Sequence, residues 1–349
     1  MLDVKTFVAI SALKTIVAIV VLLTVVAYTV WFERKLVGRI QNRWGPSRVG
    51  PFGLLQPLAD GLKFIFKEDM TPPYVNRTLY LAAPLIALTL ALTSIAVIPF
   101  SGPVQIGNIS TPLQVTDINI GLLAILGITS VAVYGVALAG WSSNSKYSLL
   151  GALRACAQMI SYEVALGLSL IGVLMFSQSF SLQEIVTSQS GTWFGFIPKW
   201  NIFKGQFVAF FVYLCAAFAE TNRIPFDLPE AETELVAGYH TEYSSMKFAM
   251  FFMAEYANMF TVAALASLLF LGGWNGPTFG FAEGTIAAGL LHVFWFALRI
   301  VFFLFLYVWV RGTLPRFRYD QLMAFSWKVL LPLALANILV TGLVVALRS

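Results

Sequence analysis

Between Glu220 and Ser245 the chain places six of its seventeen acids, Glu220, Asp227, Glu230, Glu232, Glu234 and Glu242, with Arg223 as the only Lys or Arg among them. Glu230 and Glu234 lie one helical turn apart on a shared face, and like charges crowded in this way favour proton uptake by one of the two. Glu232 points towards a different partner. Asp227 and Glu230 have the spacing of a capping box, and Pro229 suits a helix N-terminus, so helix initiation accounts for part of their presence. Glu220 closes a long apolar run, with Arg223 three residues on as its natural counter-ion. Carboxylates staggered along a membrane boundary are the chemistry of a proton relay.

Three further ionisable residues stand inside apolar runs. Glu163 interrupts one of them, where a charge at bilayer depth costs about 2.5 to 3.5 kcal/mol on the insertion scale; a structural pairing with Arg154 or Arg299 is the alternative to a functional role. Glu255 has the same ambiguity nearer an interface. Arg299, between Phe296, Ile300 and Phe302, should have an acidic partner, and Glu163, Glu220 and Glu255 are the candidates. Two histidines and two widely spaced cysteines, Cys156 and Cys215, are too few for a haem, zinc or cluster site, and the cysteines read as small buried residues. Any electron carrier is then held by another chain or is a diffusible ligand.

The elements that must position these groups are membrane helices. The 349 residues are 58% hydrophobic and 11% charged, with a mean hydropathy of +0.80, far from the composition of a soluble domain. Runs long enough to cross a bilayer, which takes about 20 residues, are predicted at 9–31, 79–100, 118–140, 156–176, 203–219, 248–271, 287–310 and 329–347. The expectation is an all-α integral membrane protein of about eight transmembrane helices, a single polytopic domain over 1–349 without repeats or linkers. The fourth span is interrupted by Glu163, Gly167 and Gly172. Lys and Arg concentrate in the first, third, fifth and seventh connections, which puts those on the cytoplasmic side and both termini on the periplasmic side. Because Arg34, Lys35 and Arg39 follow the first apolar run, it reads as a retained helix rather than a cleaved signal.

In the first connection Leu54, Leu55, Leu58, Leu62, Ile65 and Phe66 share one helical face, and Gln56, Asp60, Lys63 and Lys67 the other. An amphipathic helix over 52–67 lying along the membrane surface fits this pattern; it either packs on the bundle or walls a binding cavity. At this point two function classes remain: an ion transporter or channel, and a membrane subunit of a redox enzyme whose acids answer to chemistry on a lipophilic substrate.

The stretch Glu220-Thr-Asn-Arg-Ile-Pro-Phe-Asp-Leu-Pro-Glu-Ala-Glu with Gly238-Tyr-His-Thr-Glu-Tyr-Ser-Ser245 resembles the signature region of the H-type membrane subunit of respiratory complex I, NADH:quinone oxidoreductase. The likeness continues through Glu33-Arg-Lys, Gln41-Asn-Arg-Trp-Gly-Pro-Ser-Arg-Val-Gly, Gln56-Pro-Leu-Ala-Asp-Gly-Leu-Lys, the stretch Gly140 to Arg154, Ile160-Ser-Tyr-Glu-Val and Arg316-Phe-Arg-Tyr-Asp-Gln-Leu-Met. It covers nearly the whole chain, except the second connection and 183–200. The resemblance implies a subunit at the junction of membrane and peripheral arms. By motif position Glu163, Glu220, Asp227, Glu230, Glu232, Glu234 and Glu242 take the role of an acidic relay coupling quinone reduction to proton pumping. Arg34, Asp60 and Arg223 take the quinone chamber and its mouth. Quinone is then the substrate, iron-sulfur clusters and flavin sit in partner subunits, the partners are other membrane-arm subunits and the peripheral-arm quinone-site and iron-sulfur subunits, no metal or haem is bound by this chain, and the location is a bacterial inner membrane. A membrane anchor of an energy-converting hydrogenase or of a ferredoxin-dependent complex shares parts of the pattern, and a stand-alone ion transporter is the rival from another class.

Overall fold

The computed structural model describes residues 4–106, 109–193, 197–227, 236–282 and 284–347. Its helices are α1 (Val4–Ile40), α2 (Gln56–Phe66), α3 (Arg77–Ser94), α4 (Gly121–Ser142), α5 (Lys146–Ser177), α6 (Leu182–Thr187), α7 (Phe207–Glu220), α8 (Ser245–Phe270), α9 (Ile286–Thr313), α10 (Tyr319–Phe325) and α11 (Leu331–Ala346). Two short antiparallel pairs, Pro103–Ile106 with Ile109–Pro112 and Thr192–Trp193 with Ile197–Pro198, lie in the connections between helices. The protein is thus a mostly helical membrane protein. Among the described residues, seven helical stretches are long and apolar enough to cross a membrane.

The predicted fifth span is α7, and its 14 residues rise only about 21 Å, short of a hydrocarbon core of about 30 Å. The residues that follow, Thr221 to Asp227, are nonetheless almost all buried. A short helix therefore delivers the start of the acidic connection into the protein interior rather than to the surface. The fourth span is longer than predicted, because α5 begins at Lys146, ten residues before the apolar run. Its first turns carry Lys146 and Arg154, which interrupt the hydropathy of the run but which helix geometry tolerates outside the lipid core. The predicted amphipathic helix is present as α2, preceded by a single 3-10 turn at Pro51–Gly53.

Around α8 the bundle is organised as a centre and a rim. In α8, 67% of the apolar stretch is buried, against 6% for α1, and α8 touches α1, α3, α7 and α9. The order α8, α3, α4, α5 runs round the bundle, with α7 and α11 against α5 and α1 on the far side against α8 and α9. Inside this apolar packing, polar side chains are satisfied across helices, as in the hydroxyl pair Ser94–Thr261 at 2.9 Å. Gln206 bridges Thr341 at 2.9 Å and Asn337 at 3.0 Å.

Close approach of α4 and α5 depends on Gly140: a Cβ there would stand 2.2 Å from the Ala152 Cβ and 2.7 Å from the Ser148 carbonyl. Gly151, one turn earlier than Ala155 on α5, does the same for the chain at Gly238, whose Cα would lie 2.7 Å from an added Cβ. Overpacking of this kind costs about 1 to 3 kcal/mol. Gly140→Val is expected to lower the thermal midpoint of the purified protein clearly, while Gly127→Val, where nothing lies within 4 Å, leaves it nearly unchanged.

Candidate functional site: a buried charge ladder beside an acid-lined cavity

Glu33 and Arg34 are neighbours on α1 and so point about 100° apart. Glu33 turns inward, 9% exposed, where it pairs with Arg311 of α9 and accepts a hydrogen bond of 2.6 Å from the Tyr256 hydroxyl of α8. Above the same ring stands Arg223, its guanidinium 4.1 Å from the centroid, with Nη1 3.5 Å from the Tyr256 oxygen. Arg223 Nη2 lies 3.8 Å from Glu255 Oε2, and Tyr239 donates to Glu255 Oε1 at 2.9 Å. Arg311, Glu33, Tyr256, Arg223, Glu255 and Tyr239 thus form one ladder from the rim helices to the centre. Each cation on it is matched by an acid, which is what burial of charge demands.

At its inner end the ladder meets a cavity of about 30 Å³ lined by Glu220, Glu255, Asn222, Asn258 and Tyr239, room for about two waters at ~10 to 15 Å³ each. Glu220 and Glu255 both line it, and Glu220 lies within electrostatic reach of Glu163 of α5 and of the Thr129 hydroxyl of α4. The arrangement brings Glu163, Glu220 and Glu255 to one locality, as a relay requires. It also corrects two expectations. Arg223 is not the counter-ion of Glu220: the turn after α7 carries it to the other side, onto Tyr256 and Glu255. Glu163 pairs with neither arginine among the described residues: Arg154 lies over the Tyr319 ring at 5.8 Å, and Arg299 is held elsewhere.

Arg299 has no acidic partner among the described residues. Its guanidinium donates to the carbonyls of Gly273 and Asn275 and lies 5.0 Å over the Trp200 ring. Carbonyls exposed by the positive-φ turn Gly272-Gly273 serve in place of a carboxylate, a solution that no local pattern in the sequence reveals.

The turn that carries Arg223 is fixed by Gln158 of α5, fully buried. Its Nε2 lies 2.8 Å from the carbonyls of Ala219 and Phe226 and 3.2 Å from Asn222 Oδ1. Tyr162, one turn on, donates to the Leu322 carbonyl at 2.8 Å and packs on Phe226. Asp227 meets Arg316 at 3.0 Å, so its carboxylate anchors the connection after α9; Glu230, Glu232 and Glu234, with which it was grouped, lie outside the described residues. Glu242 accepts from Tyr74 at 2.8 Å, at the surface side of α3. The pKa of Tyr243 beside it is pushed up to about 12 by burial, so its hydroxyl remains a donor, bonding the Tyr80 carbonyl at 3.2 Å.

The amphipathic α2 is tied to this frame at both ends. Arg34 pairs with Asp60 at 2.7 Å, Gln56 donates to the same carboxylate at 3.0 Å, and Ser245 donates to the carbonyls of Phe64 and Lys67 at 2.9 Å each. Arg34 and Asp60 are therefore together, while Arg223 belongs to the ladder one residue of α1 away. Phe52, Leu58, Leu62 and Phe66 are exposed, leaving an apolar face for lipid. The residues underweighted by sequence are Glu33, Tyr256, Tyr239 and Arg311, whose partners are distant in sequence, and Glu255, whose position in an apolar span was the available signal.

Fold and site together define a polytopic helical membrane protein that buries a balanced line of charge beside clustered carboxylates. The model of the family described as NADH dehydrogenase matches residues 13–342. The chain is 68% identical, over its full length and that of its relative, to the second of the H-type NADH-quinone oxidoreductase subunits of Koribacter versatilis (strain Ellin345). It is 51% identical to the first such H-type subunit of Solibacter usitatus (strain Ellin6076), over 98% of both chains. Against the H-type subunit of Thermomicrobium roseum (strain ATCC 27502 / DSM 5159 / P-2) the identity is 55% over 91% of this chain and 90% of the relative. The chain belongs to the NADH dehydrogenase family, as an H-type membrane subunit of complex I.

Replacing Gln158 by Leu keeps its volume but leaves the buried Phe226 carbonyl without its donor and the Ala219 carbonyl with only the longer bond from Asn222, a loss of about 1 to 3 kcal/mol for the unsatisfied group. Gln158→Leu is expected to lower the thermal midpoint of the assembled complex and to speed proteolysis near Arg223, read by limited digestion and mass spectrometry.

Proposed function

We propose that this chain is the membrane-arm subunit of a proton-pumping NADH:quinone oxidoreductase that lines the quinone chamber and couples quinone reduction to proton translocation. The observation that carries this reading is the ladder from Glu33 to Glu255, which ends on a cavity shared with Glu220. Arg34, Asp60 and α2 stand at the lateral mouth, where an apolar quinone leaves the bilayer between α1 and the amphipathic helix. Arg223 stands deeper, within the interior. Electrons come from an iron-sulfur cluster of a peripheral-arm partner, with flavin further upstream, and this chain supplies surface, charge and protons rather than a redox centre.

Reduction of a quinone to a quinol takes up two electrons and two protons. Charge developing on the reduced headgroup acts on Arg223, and any shift of Arg223 changes how well it compensates Glu255. Glu255 and Glu220 then exchange proton affinity across the small cavity, with Glu163 within electrostatic reach. Glu230, Glu232, Glu234, Asp227 and Glu242 complete the acidic path on the chamber side. The chain has its basic connections in the cytoplasm, both termini in the periplasm and α7 as the fifth of eight crossings, in a bacterial inner membrane. The names of its relatives favour this reading over an anchor of an energy-converting hydrogenase or a transporter acting alone.

Glu220→Gln and Glu255→Gln in the assembled complex are expected to reduce protons pumped per quinone reduced, measured by acidification in proteoliposomes against quinone consumption. Pumping stoichiometry unchanged in both variants, with assembly verified by native gel, would remove the relay assignment.

A further inference from the structure

On the side of the bundle where the connections before α7 and before α9 emerge, a groove of about 1060 Å³ opens between α9 and these loops. From these loops the groove runs along α9 as far as Phe32 and Phe305, and the proposed function does not use it. Its volume is at the upper end of sites that hold a drug-sized molecule, and its wall is aromatic and aliphatic, with Trp200, Trp295, Phe302 and Phe305 prominent. From His292 to Phe305 it follows α9 for roughly 20 Å, somewhat more than half of a hydrocarbon core of about 30 Å.

Among the described lining residues the charge has one sign. Arg299 lies in the wall, and no acid is among the described lining residues. Its two carbonyl partners orient the guanidinium without neutralising it. At the rim the Lys199 side chain lies along Gly191, so that a Cβ on Gly191 would meet Nζ at 3.8 Å. Lys204 donates to the Ser188 carbonyl at 3.1 Å, two residues before the wall begins at Ser190. Burial and the neighbouring Lys199 charge both lower the pKa of Lys204, so the two cations lie within electrostatic reach of each other.

The floor is built rather than loose. Gln189 accepts from the backbone of Asn201 at 3.1 Å and of Gly272 at 3.0 Å, and donates to the Leu268 carbonyl at 2.7 Å. The Trp295 indole donates to the Pro277 carbonyl at 3.1 Å and lies where a Cβ on Gly276 would fall, 2.4 Å away.

We infer that this groove is a binding site for one anionic phospholipid, its phosphate at Arg299 with Lys199 and Lys204 at the rim and one acyl chain along Phe302 and Phe305 towards Phe32. A slot with cations and indole rings towards its loop side and about 9 Å of apolar wall from Arg299 to Phe305 matches an amphiphile with an anionic head. A quinone headgroup carries no charge to answer three cations.

The test uses the assembled complex in nanodiscs containing phosphatidylglycerol and phosphatidylcholine in equal amounts, with one lipid at a time carrying a diazirine at the end of an acyl chain. After irradiation the labelled peptides are mapped by mass spectrometry. Phosphatidylglycerol is expected to label α9 around Phe302 to Phe305 in excess over phosphatidylcholine. Loss of one cation in Lys199→Gln or Arg299→Gln should cut that excess by about fivefold. Leu298→Trp, placed at an exposed position on the groove wall, fills the slot while keeping every cation, and should abolish the label even if Arg299→Gln does not assemble. Equal labelling by the two lipids, labelling by neither because another subunit covers the groove, or displacement of the label by added quinone would each overturn the assignment.

Discussion

Charge buried between membrane helices must meet opposite charge within a few ångströms, and the packing of this bundle follows from that constraint. Arg311, Glu33, Arg223 and Glu255 come from α9, α1, the turn after α7 and α8, and Tyr256 joins the two pairs. Two cations and two acids leave the line neutral, so its burial is tolerable; loss of any one member leaves an uncompensated charge at a cost of about 3 to 5 kcal/mol. Three segments must therefore stand at fixed positions relative to α8. The small residues Ala254 and Ala257 of that helix, both buried, leave room for the larger side chains of the ladder to reach one another.

The apolar runs made the helical membrane architecture legible, since composition and run length are properties of the chain itself. They also showed that Glu163, Glu255 and Arg299 had to be accommodated. Partnership was not legible. Arg223 stands three residues from Glu220, and proximity in sequence suggested a pair, yet the turn held by Gln158 sends Arg223 to Glu255. Arg299 called for a carboxylate and found carbonyls instead. In each case the partner is set by contacts between segments far apart in the chain, which no periodicity encodes. The start of α5 was misplaced for a different reason: hydropathy marks where lipid begins, whereas helix continues wherever backbone bonding permits.

Depth is the second thing that length alone did not convey. Because α7 is short, the chain turns polar while still enclosed by α5 and α8, and Thr221 to Asp227 are buried rather than solvated. Backbone N–H groups of Thr221, Asn222 and Arg223 satisfy the carbonyls that end the helix, and Gln158 ties the Ala219 carbonyl to that of Phe226, so the turn keeps its polar groups paired at this depth. The acids at the head of the connection are thereby kept poorly hydrated, which is the condition under which neighbouring charges act strongly on one another.

The two arginines of the interior show how the manner of compensation decides what a buried charge can do. Arg223 is balanced by Glu255, a carboxylate 3.8 Å from its guanidinium, so acid and cation hold one another in place. Arg299 is balanced only in direction, by the dipoles of Gly273 and Asn275, which have no proton to exchange. Its positive charge is therefore oriented without being cancelled. The two arginines differ in whether a carboxylate or a carbonyl faces the guanidinium, and that choice decides whether the net charge of the pair is zero or one.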